Sequence, residues 1–392
     1  MRIAVLHSGD LNQLALGGID QYIKSIIRHR GDNEITLFGT CVHGKYVIGQ
    51  EYYVNNNGLS YTFIPVSDDS VRPLTKGYIL NELKFIRKIA EYDVIYVQRV
   101  ELTLPFAFSQ NARSKLVQVV HGSSYYTTLH MNRLRSVLYY MLERISIIIA
   151  KKTLIVLKRD EFGVPYYKRR YKQYSEKIDY TKIPVDTNVF RHFNKNVVRE
   201  ELELPSDKYV IMYGGRVENN PKRVLLFPDI LIQLNKNERN SYFLVVVGSG
   251  TDCEKLGLKL NEYKLNDSYR MVSYIEDRTE YVKYLNASNV NINLSEYEGT
   301  CTSSLEAVSC GTPLVSTNVG DIQLIVRNGQ NGFTIANSND KQIIHDTVEA
   351  IHKIRNGKVV FTDDYKQYEC KNVIDELFSE FEKITSFPTQ DV

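Results

Sequence analysis

Few cysteines, no long apolar run and almost no charge imbalance mark this chain by what it leaves out. The five cysteines, at 41, 253, 301, 310 and 370, are odd in number, scattered and without a Cys-x-x-Cys pair. Neither a disulfide framework nor a zinc site fits that pattern, and a reducing cytoplasm is the expected compartment. No apolar run reaches membrane-spanning length, and the nearest, Ile145–Ala150, is closed by Lys151 and Lys152. A strand, Arg2–His7, opens the sequence with no charged and apolar leader before it, so neither secretion nor a transmembrane anchor is expected. The net charge of +3 is too small to imply nucleic acid, and no basic arm or RNA-binding aromatic signature supplies another reason. The adjacent acids Asp68-Asp69 and Asp363-Asp364 form no Asp-x-Asp after a strand, so no catalytic metal is expected.

What is present is ordinary in proportion and regular in order. With 392 residues, 43% hydrophobic and 24% charged, the chain is long for one core, and two domains of similar size are expected. Short apolar runs recur at Ile35–Gly39, Tyr61–Val66, Val94–Gln98, Leu116–Val120 and Leu154–Leu157, as buried parallel strands do. Between them Gly18–His29 has helical periodicity, and so has the stretch from Ile79 to Ala90. After Asp186 the pattern restarts with Tyr209–Tyr213, Phe243–Gly248, Met271–Ile275, Val290–Leu294, Pro313–Thr317 and Gly332–Ile335. This predicts an α/β protein with two Rossmann-like parallel sheets, residues 1–185 and 186–365. A final stripe, Val373, Ile374, Leu377, Phe378, Phe381 and Ile384, predicts a helix within 366–392. Periodicity alone leaves open which sheet that helix covers.

The most informative stretch runs from Ser295 to Gly320. A strand enters a turn at Gly299, a short helix follows to Cys310, Gly311 stops it, and the next strand begins at Thr312. Such a helix start favours anions, through its free N–H groups and the positive end of its dipole. Glu298 and Glu306 stand on either side of it, and eight residues of helix rise roughly 12 Å, the reach of a nucleotide sugar from ribose to hexose. Two carboxylates can therefore accept from two sets of hydroxyls while a diphosphate lies between them. The same letters also fit a capping box, Ser303-Ser-Leu-Glu306, in which Glu306 only satisfies a backbone donor.

The segment Glu298 to Glu306 resembles the E-x7-E signature of the retaining glycosyltransferases of family 4. Arg216 in Tyr213-Gly-Gly-Arg, followed by Asn219-Asn-Pro-Lys-Arg223, is similar to the family's Gly-Arg then Lys element. Phe243–Gly250 resembles its second strand and Gly-x-Gly turn, and Lys182–Asp186 with Phe190 its interdomain segment. Gly17-Gly18 and His121-Gly122 fall where the family keeps a glycine loop and a His-Gly pair, so the likeness covers nearly the whole chain.

The resemblance implies the GT-B fold, an acceptor-binding domain and a nucleotide-sugar-binding domain facing an interdomain cleft, with the C-terminal helix crossing back to the first. It implies a hexosyltransferase without metal or cofactor that moves a sugar from a UDP- or GDP-linked donor to a glycan or lipid-linked glycan, in bacterial surface polysaccharide synthesis. By resemblance, His121, Arg216, Lys222 and Glu298 are the catalytic set. Gly17, Gly18, Gly215, Gly250, Tyr274, Ile275, Gly299, Thr300, Cys301 and Glu306 join Arg216, Lys222 and Glu298 as donor-binding residues. Asn219-Asn220-Pro221 adds one position before Lys222, which leaves Arg223 as its alternative. Rival readings are another GT-B activity, such as a sugar-nucleotide epimerase, an inverting transferase or a phosphorylase, and a non-catalytic GT-B-like partner.

From Arg133 to Lys177 there are 12 Lys or Arg against 4 Asp or Glu, interleaved with tyrosines. This reads either as solvated helix faces or as a basic, aromatic surface resting on the anionic inner face of the cytoplasmic membrane.

Overall fold

The structure is a computed structural model that describes every residue except 10, 12–17, 57, 72–73, 130, 160, 237–240, 358–359, 361 and 387–392. The chain divides into two compact units, one of Met1–Pro184 with Cys370–Val392 and one of Val185–Glu369.

The first unit holds an eight-stranded sheet of β1 (Arg2–Leu6), β2 (Glu34–Cys41), β3 (Tyr52–Asn56), β4 (Leu59–Asp68), β5 (Val94–Val97), β6 (Leu116–Val120), β7 (Lys152–Ile155) and β8 (Ile178–Tyr180). Their spatial order is β3-β4-β2-β1-β5-β6-β7-β8, parallel throughout except for the antiparallel β3–β4 hairpin. β5 and β6 are buried at every position, as central parallel strands covered on both faces must be, and they are apolar apart from Gln118, whose amide donates to Thr153 Oγ1 of β7 at 2.8 Å. The apolar-run pattern missed β3 and β8 because they lie at the two edges. In β3 only Val54 is buried, and in β8 only Ile178.

The helical stretch expected between Ile79 and Ala90 is two pieces, Leu74–Glu82 and Ile86–Ile89. Leu80 and Leu83, which fit the periodic face, are 59% and 55% exposed, whereas Glu82 is fully buried. A carboxylate turned inward and two leucines turned outward displace the face that a single straight helix would bury. Burial alone pushes the Glu82 carboxyl well above its usual range.

The helix Cys370–Ser386 packs in the first unit, where Ile374, Leu377, Phe378 and Phe381 join the core of β1, β2 and β5. Phe381 meets Tyr96 of β5 edge-on, with ring centroids 5.0 Å apart. Lys182 donates to both carboxylate oxygens of Glu376 at 2.7 and 2.8 Å. Residues 366–369, placed with this helix from sequence, stay with the second unit: Val185 N donates to Tyr368 O there, and Thr187 Oγ1 to Glu369.

The second unit holds six parallel strands, β9 (Tyr209–Gly214), β10 (Tyr242–Val247), β11 (Tyr269–Val272), β12 (Val290–Asn293), β13 (Leu314–Thr317) and β14 (Gly332–Ile335). Their order is β11-β10-β9-β12-β13-β14. β11 starts two residues earlier than its apolar letters suggest, since Tyr269 pairs with Leu244, and Ser273–Ile275 leaves the sheet. In both sheets the order reverses once, between β1 and β5 and between β9 and β12. Loops leaving the carboxyl ends of such a strand pair diverge and open a crevice where ligands of open α/β sheets bind.

Candidate functional site

The crevice of the second unit is built by the loops after β9 and β12. Ser295, fully buried, fixes the second loop: Thr317 Oγ1 of β13 donates to its carbonyl at 2.6 Å, and its own Oγ lies 2.7 Å from both Asn293 Oδ1 and Glu298 Oε1. The first loop is held against it, because Glu296 N donates to Pro221 O at 2.8 Å, and it is also tied to the loop after β10, where Asn219 N donates to Asp252 Oδ2 at 2.8 Å. That closure sets Lys222 beside Glu298, and its ammonium donates to Glu298 Oε1. Burial opposes the Lys222 charge, but Glu298 outweighs it and leaves the ammonium held more firmly than in water. Arg223 is turned elsewhere, to Leu294 O at 3.2 Å and Asn337 Oδ1 at 2.8 Å.

Glycines let these loops touch. A Cβ on Gly320, whose φ is +55°, would fall 2.3 Å from Gly299 O, so the turn carrying Glu298 leans on a position no other residue occupies easily. A Cβ on Gly250 would fall 2.3 Å from Val217 O, so Gly250 supports the backbone next to Arg216. Arg216 and Gly215 are exposed, and the Arg216 guanidinium pairs with Glu218 at 3.0 Å.

The helix Thr302–Ser309 begins at Cys301 with no side-chain cap, which leaves its N-terminal amides to another acceptor. It ends in a Schellman motif, with Thr312 N donating to Ala307 O and Gly311 N to Val308 O, both at 3.0 Å, and Gly311 at φ +75°. The capping-box alternative is overturned. Ser303 lies inside the helix rather than at its cap, and the Glu306 carboxylate turns away to accept from Arg278. Burial raises the Glu306 carboxyl above its usual range and Arg278 pulls it back down. Arg278 is stacked over the rings of Tyr281 at 4.4 Å and Phe190 at 4.9 Å. Burial also raises the Cys301 and Cys310 thiols, so both stay protonated near neutrality.

Of the remaining donor-side residues, Tyr274 N donates to Ser249 Oγ at 3.1 Å and Ile275 packs on the unit's own core. Thr300 and Gly299 are half-buried in the turn before the helix. Sequence reasoning missed Arg278. No spacing rule announces it, since its partner lies 28 residues on.

At the reversal of the first sheet a second cluster forms. His121 follows β6, and its Nε2 lies 2.8 Å from Gln98 Oε1 after β5, so the neutral Nε2–H form donates there. Desolvation, His7 and Arg99 together push the imidazole down to about 3. Tyr22 meets its ring edge-on at 5.3 Å. His7, missed from sequence, follows β1 and bonds Asp20 at 2.9 Å through Nε2, while its buried Nδ1 has no partner among the described residues. Gly18 starts the helix that carries Asp20 and Tyr22, and a Cβ there would meet nothing within 4 Å. Gly17 lies outside the described residues. Among the described residues, no group of three or more His, Cys, Asp or Glu is placed to hold a metal ion.

Parts of the chain are similar to known proteins. Residues 194–358, most of the second unit, match the family described as Glycosyl transferases group 1. D-inositol 3-phosphate glycosyltransferase 2 of Catenulispora acidiphila is 29% identical over 167 residues, covering 39% of this chain and 37% of that protein. D-inositol 3-phosphate glycosyltransferase of Mycobacterium avium is 30% identical over 164 residues, covering 41% and 37%. The aligned part of the chain thus spans little more than a third of the length of these curated relatives. Among solved structures, sucrose-phosphate synthase from Thermosynechococcus elongatus superposes with a TM-score of 0.80 at 16% identity, over 98% of this chain and 99% of that one. Anabaena HepE in complex with UDP and glucose gives 0.71 at 13%, over 98% and 100%. At such identities the likeness concerns the fold, which is GT-B: two Rossmann-like parallel-sheet domains.

Proposed function

We propose that the protein is a retaining glycosyltransferase that moves a sugar from a nucleoside diphosphate to a hydroxyl of a glycan or lipid-linked glycan, in bacterial surface polysaccharide synthesis. The observation that carries this reading is the Lys222–Glu298 pair beside an uncapped helix start at a strand-order reversal, within the segment that matches Glycosyl transferases group 1.

In this reading the amides after Gly299 and the cations of Lys222 and Arg216 receive the diphosphate, offsetting about two negative charges and stabilising the nucleoside diphosphate as it leaves. Glu298 accepts from hydroxyls of the donor sugar and Glu306 from the ribose, each oriented by a bonded cation. Gly215, Gly250, Tyr274 and Ile275 line the approach of the nucleotide. His121, neutral near pH 7, contributes a hydrogen bond to the transferred sugar rather than a charge. The donor is linked to UDP or GDP, no cofactor takes part, and retention follows from departure and attack on one face of the sugar. HepE, solved with UDP and glucose and with UDP-glucose, and the lipopolysaccharide outer core galactosyltransferase WaaB support a nucleotide-sugar donor and a surface-glycan setting.

Donor hydrolysis in the absence of acceptor tests the reading. Turnover of UDP- or GDP-sugar that is lost in Glu298→Ala and Arg216→Ala supports it, and turnover in no variant points to a binding protein with the same fold. Product stereochemistry by NMR separates retention from inversion.

A further inference from the structure

The helix Arg133–Ile149 carries its apolar residues on the wrong side for a soluble domain. Its inward face is fixed by Glu143, Ser146 and Ile147, all fully buried, with Tyr171 donating to Glu143 Oε2 at 2.5 Å. At 100° per residue the opposite face presents Leu134, Val137, Leu138, Met141 and Ile145, which are 70%, 50%, 51%, 54% and 40% exposed. Five large apolar side chains in one outward row are not the scattered singles of an ordinary surface.

Charge identifies what covers this row. Arg133 and Arg144 flank it on one side and Arg135 on the other, all exposed, and the helix has no exposed carboxylate, because its one acid is the buried Glu143. The short helix Val164–Arg170 adds exposed Lys168 and Arg169, and it is tied alongside by the Arg170 guanidinium stacked 4.0 Å over the Tyr140 ring. An apolar stripe bordered by cations is the pattern of a helix lying in the plane of an anionic bilayer, its apolar side among the upper acyl chains and its arginines among the phosphates. Among the described residues no helix is long and apolar enough to cross a membrane, so a surface-lying mode is the one this helix suits.

We propose that Arg133–Ile149 docks the protein onto an anionic lipid surface through Leu134, Val137, Leu138, Met141 and Ile145. This stands on the helix alone and not on the sugar-transfer reading. A protein second copy is the competing occupant, and the row's unrelieved positive border disfavours it, since a twofold contact would set arginines against arginines.

The test is flotation of the full chain with phosphatidylcholine vesicles, with and without about one third phosphatidylglycerol, at low and high salt. The expected result is binding to the anionic vesicles only, weakened by salt. Binding should fall roughly tenfold or more in Leu138→Glu/Met141→Glu. The anionic preference should disappear in Arg133→Gln/Arg135→Gln/Arg144→Gln. Leu80→Glu, on another exposed apolar residue of the first unit, should bind as the parent does. Unchanged thermal midpoints and unchanged donor hydrolysis without vesicles keep these outcomes separate from unfolding and from the transfer reading. No flotation of the parent chain, equal flotation of the glutamate variant, or a dimer by sedimentation that the glutamates dissociate would each overturn the proposal.

Discussion

Lys222 donates to the same Glu298 oxygen that lies 2.7 Å from Ser295 Oγ, so one carboxylate atom joins the loops after β9 and β12. Each partner keeps the other's charge in a place water barely reaches, with side chains 16% and 14% exposed. Either residue removed alone leaves the other uncompensated. Lys222→Ala and Glu298→Gln should each lower donor hydrolysis about 10²–10³-fold, the usual loss for one electrostatic contact at a reacting centre. The double variant should lose much less than the product of the two, as a double-mutant cycle on turnover would read. Independent, multiplicative losses would show that the pair does not act as a unit.

Arg278→Ala should destabilise the second unit, toward the lower end of the roughly 3–5 kcal/mol that follows from breaking one side of a buried ion pair, because the Arg278 side chain keeps 26% exposure. Calorimetry should show this loss to be smaller at pH 5 than at pH 8. Without Arg278, burial raises the Glu306 carboxyl further, and a proton bound in the folded state offsets part of the cost at low pH.

Gly320→Ala tests the support beneath Glu298. A Cβ 2.3 Å from Gly299 O at φ +55° forces that turn to move, at a cost of about 1–3 kcal/mol for the strained backbone. Thermal shift by UDP or GDP should shrink while the far-ultraviolet circular dichroism of the unliganded chain stays the same. A full nucleotide response would mean the turn is not where the nucleotide sits.

His121 should remain neutral through the physiological range, since its folded value is about 3 against about 6.5 when unfolded. Between these values the unfolded chain holds more protons, so this residue lowers stability progressively as pH falls from 6.5 toward 3 and contributes nothing above 6.5. Nitrogen-15 NMR of the ring should show the Nε2–H tautomer from pH 5 to 8. His121→Ala should flatten the acid side of the stability profile.

Phe381→Ala removes a fully buried ring from the first unit's core, where it packs on Tyr96, and should cost about 3–5 kcal/mol. The loss should fall on the unfolding transition of that unit alone. A shift in the transition of Val185–Glu369 instead would place the helix Cys370–Ser386 with the wrong sheet.

Much of the fold could be read from the letters, because a central parallel strand such as β5 is apolar along its whole length and the strand before the helix Thr302–Ser309 is followed by a glycine turn. The edges could not be read so well, and β3 and β8 slipped past for want of buried positions. Glu82 shows the limit of periodicity: one polar residue turned inward rotates a helix away from the face its leucines suggest.

The sequence by itself determined local matters: where the buried strands run, where Gly311 ends a helix, and that Glu298 and Glu306 flank its start. Only the tertiary structure decided which charges meet. Lys222 reaches Glu298 across 76 residues of chain, Arg278 reaches Glu306 across 28, and His121 reaches Gln98 across 23. The first and last of these pairings follow from strand order, since β12 lies beside β9 and β6 beside β5, and the second joins the helices Arg278–Ala287 and Thr302–Ser309. A side chain's charge is fixed by its own atoms, but its partner is fixed by which strands hydrogen-bond as neighbours, and no local spacing carries that information.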